Sequence, residues 1–256
     1  VTAIGEGAFY RCTKLNEKDG TSILPASVTS IGNSVFFGCS GLTKITIPAS
    51  VTSIGASAFV GCSSLTEITI PTGVTSIEQQ TFSGCSKLTT INGLDHVTSI
   101  GSLAFEDCIS LTEIAIPTAV TSIKGRTFNG CSKLTTINGL DHVTSIEYAA
   151  FEGCSSLTEI RLSHNEVSIG DSAFAECSKL SRIEGGEKLT AIGVGAFEKC
   201  TGLKEITIPS TVQSIGNNAF LSCSSLNSVK ITEGVTTIGS GAFQWCYALT
   251  EIELPN

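Results

Sequence analysis

The chain has 256 residues and a net charge of -8 at pH 7, and only 15% of its residues are charged. This acidic balance argues against nucleic acid, whose phosphates need a basic stripe, and gives no support for binding to anionic lipids. No apolar run approaches the roughly 20 residues of a membrane-spanning helix, so we expect no membrane insertion in this segment.

The first residues, "VTAIGEGAFYRC", lack the basic and apolar regions of a signal peptide. The chain also begins and ends inside a repeating pattern. We therefore interpret it as a piece of a longer or processed polypeptide.

Cysteine and phenylalanine divide the chain into eleven units. After a first gap of 27 residues, each cysteine follows the previous one by 23, and eleven phenylalanines keep the same register. Periods of this length are typical of solenoids, in which a unit buries its apolar face only against its neighbours. We call the units layers 1 to 11 and number them by their cysteines: Cys12, Cys39, Cys62, Cys85, Cys108, Cys131, Cys154, Cys177, Cys200, Cys223 and Cys246.

Layer 3 shows the plan of one unit. Its "VTSI" stretch, residues 51–54, predicts a short strand that Gly55 ends. The segment from Ala58 to Cys62 predicts one helical or 3₁₀ turn, too short to be stable alone. The stretch "LTEITIP", residues 65–71, alternates apolar and polar residues and predicts a second strand ended by proline. We expect each strand to pair with that of the next layer, about 4.8 Å away.

The string L-x-x-I-x-I-P-x-x-V-T-x-I-G-x-x-A-F-x-x-C closely resembles the BspA-like, or Treponema-type, class of leucine-rich repeats. The resemblance covers essentially the whole chain. It implies a leucine-rich-repeat solenoid of about eleven stacked units, with a parallel concave β-sheet of short strands and with turns and helical turns on the other faces. It also implies a cell-surface or secreted protein used for adhesion and protein contact. We expect one solenoid domain over residues 1–256, with uncapped ends.

Some layers depart from the pattern in a regular way. Residues 83–100 recur at residues 129–146 with seventeen of eighteen letters unchanged, an offset of 46. Both copies contain "NGLDH" where other layers have the usual turn. The repeating unit is therefore predicted to be a pair of layers.

The cysteines predict a column of buried free thiols. Their number is odd, and each layer contributes one. Stacked neighbours would hold their Cβ atoms near 5 Å apart, whereas a disulfide prefers roughly 3.8 Å. Disulfides or a metal site remain the alternatives, although the absence of C-x-x-C argues against zinc.

The sequence contains no familiar catalytic signature, and we expect neither an enzyme nor a cofactor. One cluster resembles a metal site: His142 with Asp141, His164 and Glu166. It supports a metal-dependent hydrolase fragment as the more remote alternative. The simpler interpretation is a set of exposed turn residues that were duplicated with their unit.

The outward positions of the second strand are the best functional signal, because they vary where the core positions do not. Glutamates recur there every 46 residues, and a stretch of mixed charge interrupts them. Tolerance of like charges, which destabilise a sheet when directly opposite, is an equally good explanation for the spacing. The candidate ligand-binding residues are Glu113, Glu159, Arg161, Arg182, Glu184, Glu205 and Lys230.

These observations predict a non-enzymatic binding or adhesion scaffold that contacts a protein or glycan through the outward strand positions. The main alternative is a structural spacer, a stalk that displays another domain and binds nothing itself.

Overall fold

A computed structural model describes residues 1–18 and 21–255. Asp19, Gly20 and Asn256 lie outside the described residues. The chain forms a β-solenoid of about eleven turns with parallel strands, in agreement with the sequence prediction. In the described part of the chain, no helix has the length and apolar character needed to cross a bilayer.

One face is built from the "VTSI" segments, which we call the VTSI strands. The β-branched residues of this segment favour extended backbone. Layers 6 to 11 share a six-stranded sheet, layers 1 to 3 share a three-stranded sheet, and layers 4 and 5 form a pair. The strands span Ala3–Ile4, Ser30–Ile31, Ser53–Ile54, Ser76–Ile77, Ser99–Ile100, Ser122–Ile123, Ser145–Ile146, Val167–Ile169, Leu189–Ile192, Ser214–Ile215 and Thr237–Ile238.

A second face is built from the segments equivalent to "LTEITI", which we call the LTEI strands. Their middle residue points inward and the residues on either side face solvent, as in the exposed–buried–exposed pattern of Glu113–Ala115. The strands span Glu67–Thr69, Thr90–Asn92, Glu113–Ala115, Thr136–Asn138, Glu159–Arg161, Arg182–Glu184, Glu205–Ile208, Ser228–Ile231 and Glu251–Glu253.

The LTEI strands pair only within groups of layers. Layers 3 and 4, 5 and 6, and 7 and 8 form two-stranded sheets, and layers 9 to 11 form a three-stranded sheet. The expectation that every strand pairs with the next is therefore wrong on the VTSI face at junctions 3/4 and 5/6 and on the LTEI face at junctions 4/5, 6/7 and 8/9. Each of these LTEI junctions follows a layer whose second inward strand residue is a glycine: Gly93, Gly139 or Gly185.

These glycines follow directly after their strands and turn the chain. Their φ angles are +75°, +85° and +74°, a left-handed conformation that residues with a Cβ rarely adopt. A Cβ at any of them would also collide with a backbone carbonyl oxygen of the preceding layer. With no side chain in the inward position, each of these layers offers the next layer no apolar contact at this point.

The segment between the two strands is not helical, and the prediction of a helical turn is wrong here. The only helix in the described ranges is the 3₁₀ helix Leu140–His142, in a different part of the unit. Bonds within the turn, such as Cys131 N to Phe128 O at 3.1 Å, alternate with bonds to the next layer, such as Phe128 N to Ala150 O at 2.8 Å. Left-handed residues such as Arg126, with φ of 57°, interrupt any helical path.

The phenylalanine column forms the centre of the core, as predicted. Eleven rings, from Phe9 to Phe243, stack with centroids 5.2–5.6 Å apart and planes within 14° of each other. The nine rings from Phe36 to Phe220 are fully buried. Each ring is therefore covered by the same residue of the layers above and below.

The cysteine column runs beside the rings. All cysteines are free, ten are buried, and only Cys12 in layer 1 is exposed. Each buried thiol donates to the carbonyl oxygen of the phenylalanine one layer earlier, as Cys154 Sγ does to Phe128 O at 3.2 Å. Burial raises the pKa of Cys85 and Cys131 to about 12, so these thiols stay protonated and unreactive.

Replacing a central ring should destabilise the whole stack. We expect Phe128→Ala to lower the free energy of unfolding by about 3–5 kcal/mol, because it removes a buried ring and leaves a cavity. Urea denaturation followed by circular dichroism measures the loss. Tyr148→Ala, which removes a 57% exposed ring one layer away, is the control and should change stability by less than about 0.5 kcal/mol. Equal losses for the two variants would show that the column does not form the core.

Thiol accessibility tests the cysteine column. Alkylation of the native protein followed by intact-mass measurement should label one thiol, Cys12, and unfolding should expose all eleven. A Cys12→Ser variant should then remain unlabelled while folded. Five disulfides in the native mass would refute the prediction.

The same column predicts loss of stability in alkali. The unfolded thiols ionise near pH 8.5, whereas burial holds the folded thiols of Cys85 and Cys131 protonated up to pH values of about 12. The folded state therefore binds more protons at high pH. The contribution of these thiols to stability should be constant below about pH 8 and should fall above it by about 1.4 kcal/mol per pH unit for each such thiol, as urea denaturation at successive pH values measures.

Candidate functional site

The outward columns of the LTEI strands form an exposed face, and the seven candidate residues all lie on it. Six of the seven are exposed, and Glu184 is half-buried. The backbone places Glu159 opposite Arg182 and Arg161 opposite Glu184 in the paired strands of layers 7 and 8. Opposite charges therefore alternate across this pair of strands.

The structure joins three of the candidates into one ion-pair cluster. The Glu184 carboxylate receives Arg161 Nε at 2.9 Å and an Arg182 guanidinium nitrogen at 2.6 Å. Both arginine side chains remain about two-thirds exposed, at 69% and 65%. Exposed pairs of this kind contribute at most about 1 kcal/mol each. The cluster mainly fixes the position of two cations on the face.

The other four candidates are not part of this cluster. Lys230 Nζ lies 3.0 Å from the carboxylate of Glu253, one layer further on. Glu113, Glu159 and Glu205 form no side-chain hydrogen bond or ion pair within residues 1–18 and 21–255. These three carboxylates are therefore available to a partner.

Each unpaired junction of the LTEI face opens into a cleft. The clefts at junctions 4/5, 6/7 and 8/9, which we call clefts A, B and C, have volumes of about 660, 230 and 320 Å³. One of the unpaired glutamates lines each of them: Glu113 in cleft A, Glu159 in cleft B and Glu205 in cleft C. The spacing of the glutamates and the spacing of the clefts are thus the same.

The clefts also leave backbone groups without partners. Within pairs of layers, Thr89, Thr135 and Ser181 donate their N–H groups to the preceding layer at 2.9 Å. At the cleft junctions, the equivalent N–H groups find no acceptor anywhere in the part of the chain that the structure describes. These groups are the N–H of Thr112, Thr158 and Lys204.

The duplicated "NGLDH" sequence builds the upstream walls of clefts A and B. Asn92 and Asn138 accept the last hydrogen bond of their strands, from Ile70 N at 2.9 Å and Ile116 N at 2.8 Å. The glycine that follows then turns the chain away. The duplicated sequence therefore forms the same wall in two clefts.

The histidines of this motif brace the turn. His96 Nε2 donates to Pro71 O at 2.8 Å, and His142 Nε2 donates to Pro117 O at 2.9 Å. A ring nitrogen that donates to a carbonyl cannot at the same time bind a metal. Both histidines therefore stabilise the junction within their own pair of layers.

The structure does not assemble the metal-like cluster that the sequence suggested. His164 Nδ1 lies 2.9 Å from Glu187 rather than beside Glu166. A hydrogen bond from its own backbone and the His164 ring lower the pKa of the Glu187 carboxyl. Among the described residues, no group of three or more histidine, cysteine, aspartate or glutamate side chains is placed to hold a metal ion.

The clefts are the feature that sequence reasoning missed. The signal was the exchange of an inward strand isoleucine for glycine at Gly93 and Gly139, which is visible once layers are aligned at a 46-residue period. That exchange looked like a turn variant, because a single sequence does not show which hydrogen bonds a strand has lost.

The fold and its surface define a class of protein: a leucine-rich-repeat solenoid that presents a varied strand face. The sequence profile of the BspA type leucine rich repeat region matches residues 2–135, 98–224 and 190–256. The chain therefore belongs to the BspA-type leucine-rich repeat family. No protein with a curated description matches the chain.

Solved structures from three bacteria share this fold. A leucine-rich cell surface protein from Faecalibacterium prausnitzii is 34% identical, with a TM-score of 0.64 over 99% of this chain and 76% of that one. A leucine-rich repeat protein from Bacteroides ovatus is 25% identical, with a TM-score of 0.70 over 100% and 83%. The leucine-rich repeat protein of T. pallidum is 28% identical, with a TM-score of 0.57 over 70% and 82%.

The glycine that opens each cleft should not tolerate a side chain. We expect Gly139→Ala to cost about 1–3 kcal/mol of stability, because its left-handed backbone is strained for alanine and the new Cβ would meet Ile116 O. Gly125→Ala is the matched control, since its Cβ would lie 3.4 Å from the nearest atom and its φ is not positive. Thermal denaturation of the two variants compares the costs. A smaller effect at Gly139 than at Gly125 would contradict the strained turn.

Proposed function

We propose that this chain is a non-enzymatic binding scaffold of a cell-surface or secreted protein and that it contacts a protein partner through the LTEI face. We also propose that residues 1–256 act as one solenoid domain. Membership of the BspA-type family and the likeness to a protein described as a cell surface protein support this assignment. The proposed role is adhesion, which requires a broad surface rather than a catalytic pocket.

The observation that carries the proposal is the set of unpaired carboxylates at the regular openings of the LTEI face. Hydroxyl groups join paired layers on both faces: Thr98 Oγ1 donates to Thr75 O at 3.0 Å on the VTSI face, and Thr135 Oγ1 donates to Thr112 O at 3.0 Å on the LTEI face. On the LTEI face, acidic side chains and backbone N–H groups are left without partners. Complementary charge at such a surface gives a partner orientation and specificity.

The spacer alternative predicts that nothing binds. It explains the stacked core equally well, because stacking alone demands the phenylalanine and cysteine columns. It gives no reason for the regular openings of the LTEI face or for carboxylates placed at each opening. The hydrolase alternative lacks a cluster of catalytic or metal-binding side chains among the described residues.

Charge reversal on the LTEI face should change binding. The labelled chain is first tested against an array of peptides from extracellular proteins and an array of glycans, to obtain a ligand. We then expect Glu159→Lys with Glu205→Lys to change the affinity for that ligand by about tenfold or more and to alter its salt dependence. The reason is that both carboxylates line clefts and are free of internal partners.

A second double variant controls for the change in net charge. Glu6→Lys with Glu166→Lys reverses two exposed charges that lie away from the LTEI strands and should leave affinity within about twofold. Equal effects of the two double variants would move the binding surface elsewhere, with the turns bearing "NGLDH" as the next candidate. Failure of the chain to bind on either array would favour the spacer.

A further inference from the structure

We propose that clefts A, B and C form a row that binds an extended basic peptide in the polyproline II conformation, with lysine or arginine at every third residue. The peptide would lie along the axis of the solenoid and place one basic side chain in each cleft. This inference rests on the proposed function of the LTEI face and names the class of partner.

The spacing of the layers favours this conformation over a β-strand. The clefts recur every second layer, and two layers at the spacing of paired strands span about 9.6 Å. A polyproline II helix has three residues per turn and advances about 9.3 Å over them. A β-strand instead repeats its side chains on one face about every 6.7 Å, so its second and third side chains on that face would both miss the clefts.

The stacking of the core gives a second measure of the distance between clefts. The phenylalanine rings of layers 4 to 9 are 5.3–5.6 Å apart. Two layers at that depth therefore span roughly 11 Å, which exceeds one turn of the peptide, about 9.3 Å, by less than 2 Å. Lysine and arginine have long, flexible stems that can absorb such a difference over three clefts.

The charge of the clefts selects basic side chains. Each downstream wall carries one unpaired carboxylate, and the upstream walls of clefts A and B add Asp95 and Asp141. No lysine or arginine lines cleft A. Cleft A is therefore the most anionic of the three and the largest.

The two cations that line the other clefts are each paired with a carboxylate. Arg161 in cleft B is bound by Glu184 at 2.9 Å, and Lys230 in cleft C is bound by Glu253 at 3.0 Å. Both side chains are thus engaged in ion pairs on the LTEI face. The glutamates of clefts B and C remain available to an incoming cation.

The unpaired backbone groups distinguish an extended peptide from a helix. An α-helix also repeats a side chain about every 10.5 Å, at seven residues, but its backbone groups bond to each other. A polyproline II peptide has no internal hydrogen bonds, and its carbonyl groups are free to accept. The N–H groups of Thr112, Thr158 and Lys204 supply donors at the three clefts.

The test uses a peptide of four Lys-Pro-Pro triplets labelled at one end. A second peptide has the same lysines and prolines in an irregular order, so that charge and conformation stay the same and only the spacing changes. Fluorescence anisotropy measures both affinities on the intact chain at low and at physiological salt. We expect the regular peptide to bind about tenfold more tightly or better, and we expect its affinity to fall with added salt.

Variants locate the bound peptide. Glu113→Gln and Glu159→Gln, made as single variants, should each weaken the regular peptide by about threefold or more. Ala115→Trp, which fills cleft A without changing charge, should also weaken it. Glu251→Gln is the matched control, because Glu251 occupies the same outward column in layer 11 but lines none of the three clefts.

Three results would overturn the inference. Equal affinity for the two peptides would show that spacing is not recognised. Equal loss in Glu251→Gln and in the cleft variants would show that only the overall charge matters. Binding of chitohexaose, a neutral glycan, in place of either peptide would support a binding scaffold and reject the basic peptide, which separates failure of this inference from failure of the proposed function.

Discussion

Contact between identical positions of successive layers is the interaction on which the rest of the structure depends. A central phenylalanine such as Phe128 is fully buried, yet both of the rings that cover it belong to the same column. A residue that fits this column in one layer therefore fits in every layer, and a residue that does not fit affects two neighbours. This constraint explains the strict period of the core and the freedom of the outward positions, which stacking does not restrict.

The solenoid itself could be predicted from sequence because its core residues recur at a fixed period. The conformation of the turns could not be predicted. Leu103, Arg126 and Ala149 adopt left-handed backbone, although none of these residue types favours it. Hydrogen bonds to the next layer hold them there, as between Arg126 N and Tyr148 O at 2.9 Å. Local propensity thus predicts a helical turn, and contacts made 22 residues away decide against it.

The candidate site was predictable in a similar, partial way. Its side chains could be assigned to the outward columns from the alternation of the LTEI strands alone. The sequence did not predict which of them form ion pairs, because the contact of Arg161 with Glu184 depends on the strand register between two layers. The clefts could not be predicted either. They arise where a backbone hydrogen bond between layers is missing and where glycine replaces an apolar side chain.

The near-identity of residues 83–100 and 129–146 has a consequence for how such a chain changes over generations. If the codons of the two copies match as closely as the residues do, the copies are able to recombine out of alignment. Such an exchange adds or deletes 46 codons, which is one closed pair of layers together with one opening. The product keeps the order of its junctions and the fit of its core. The length of the solenoid would thus change by one cleft at a time. A longer or shorter solenoid would need no new interface between layers.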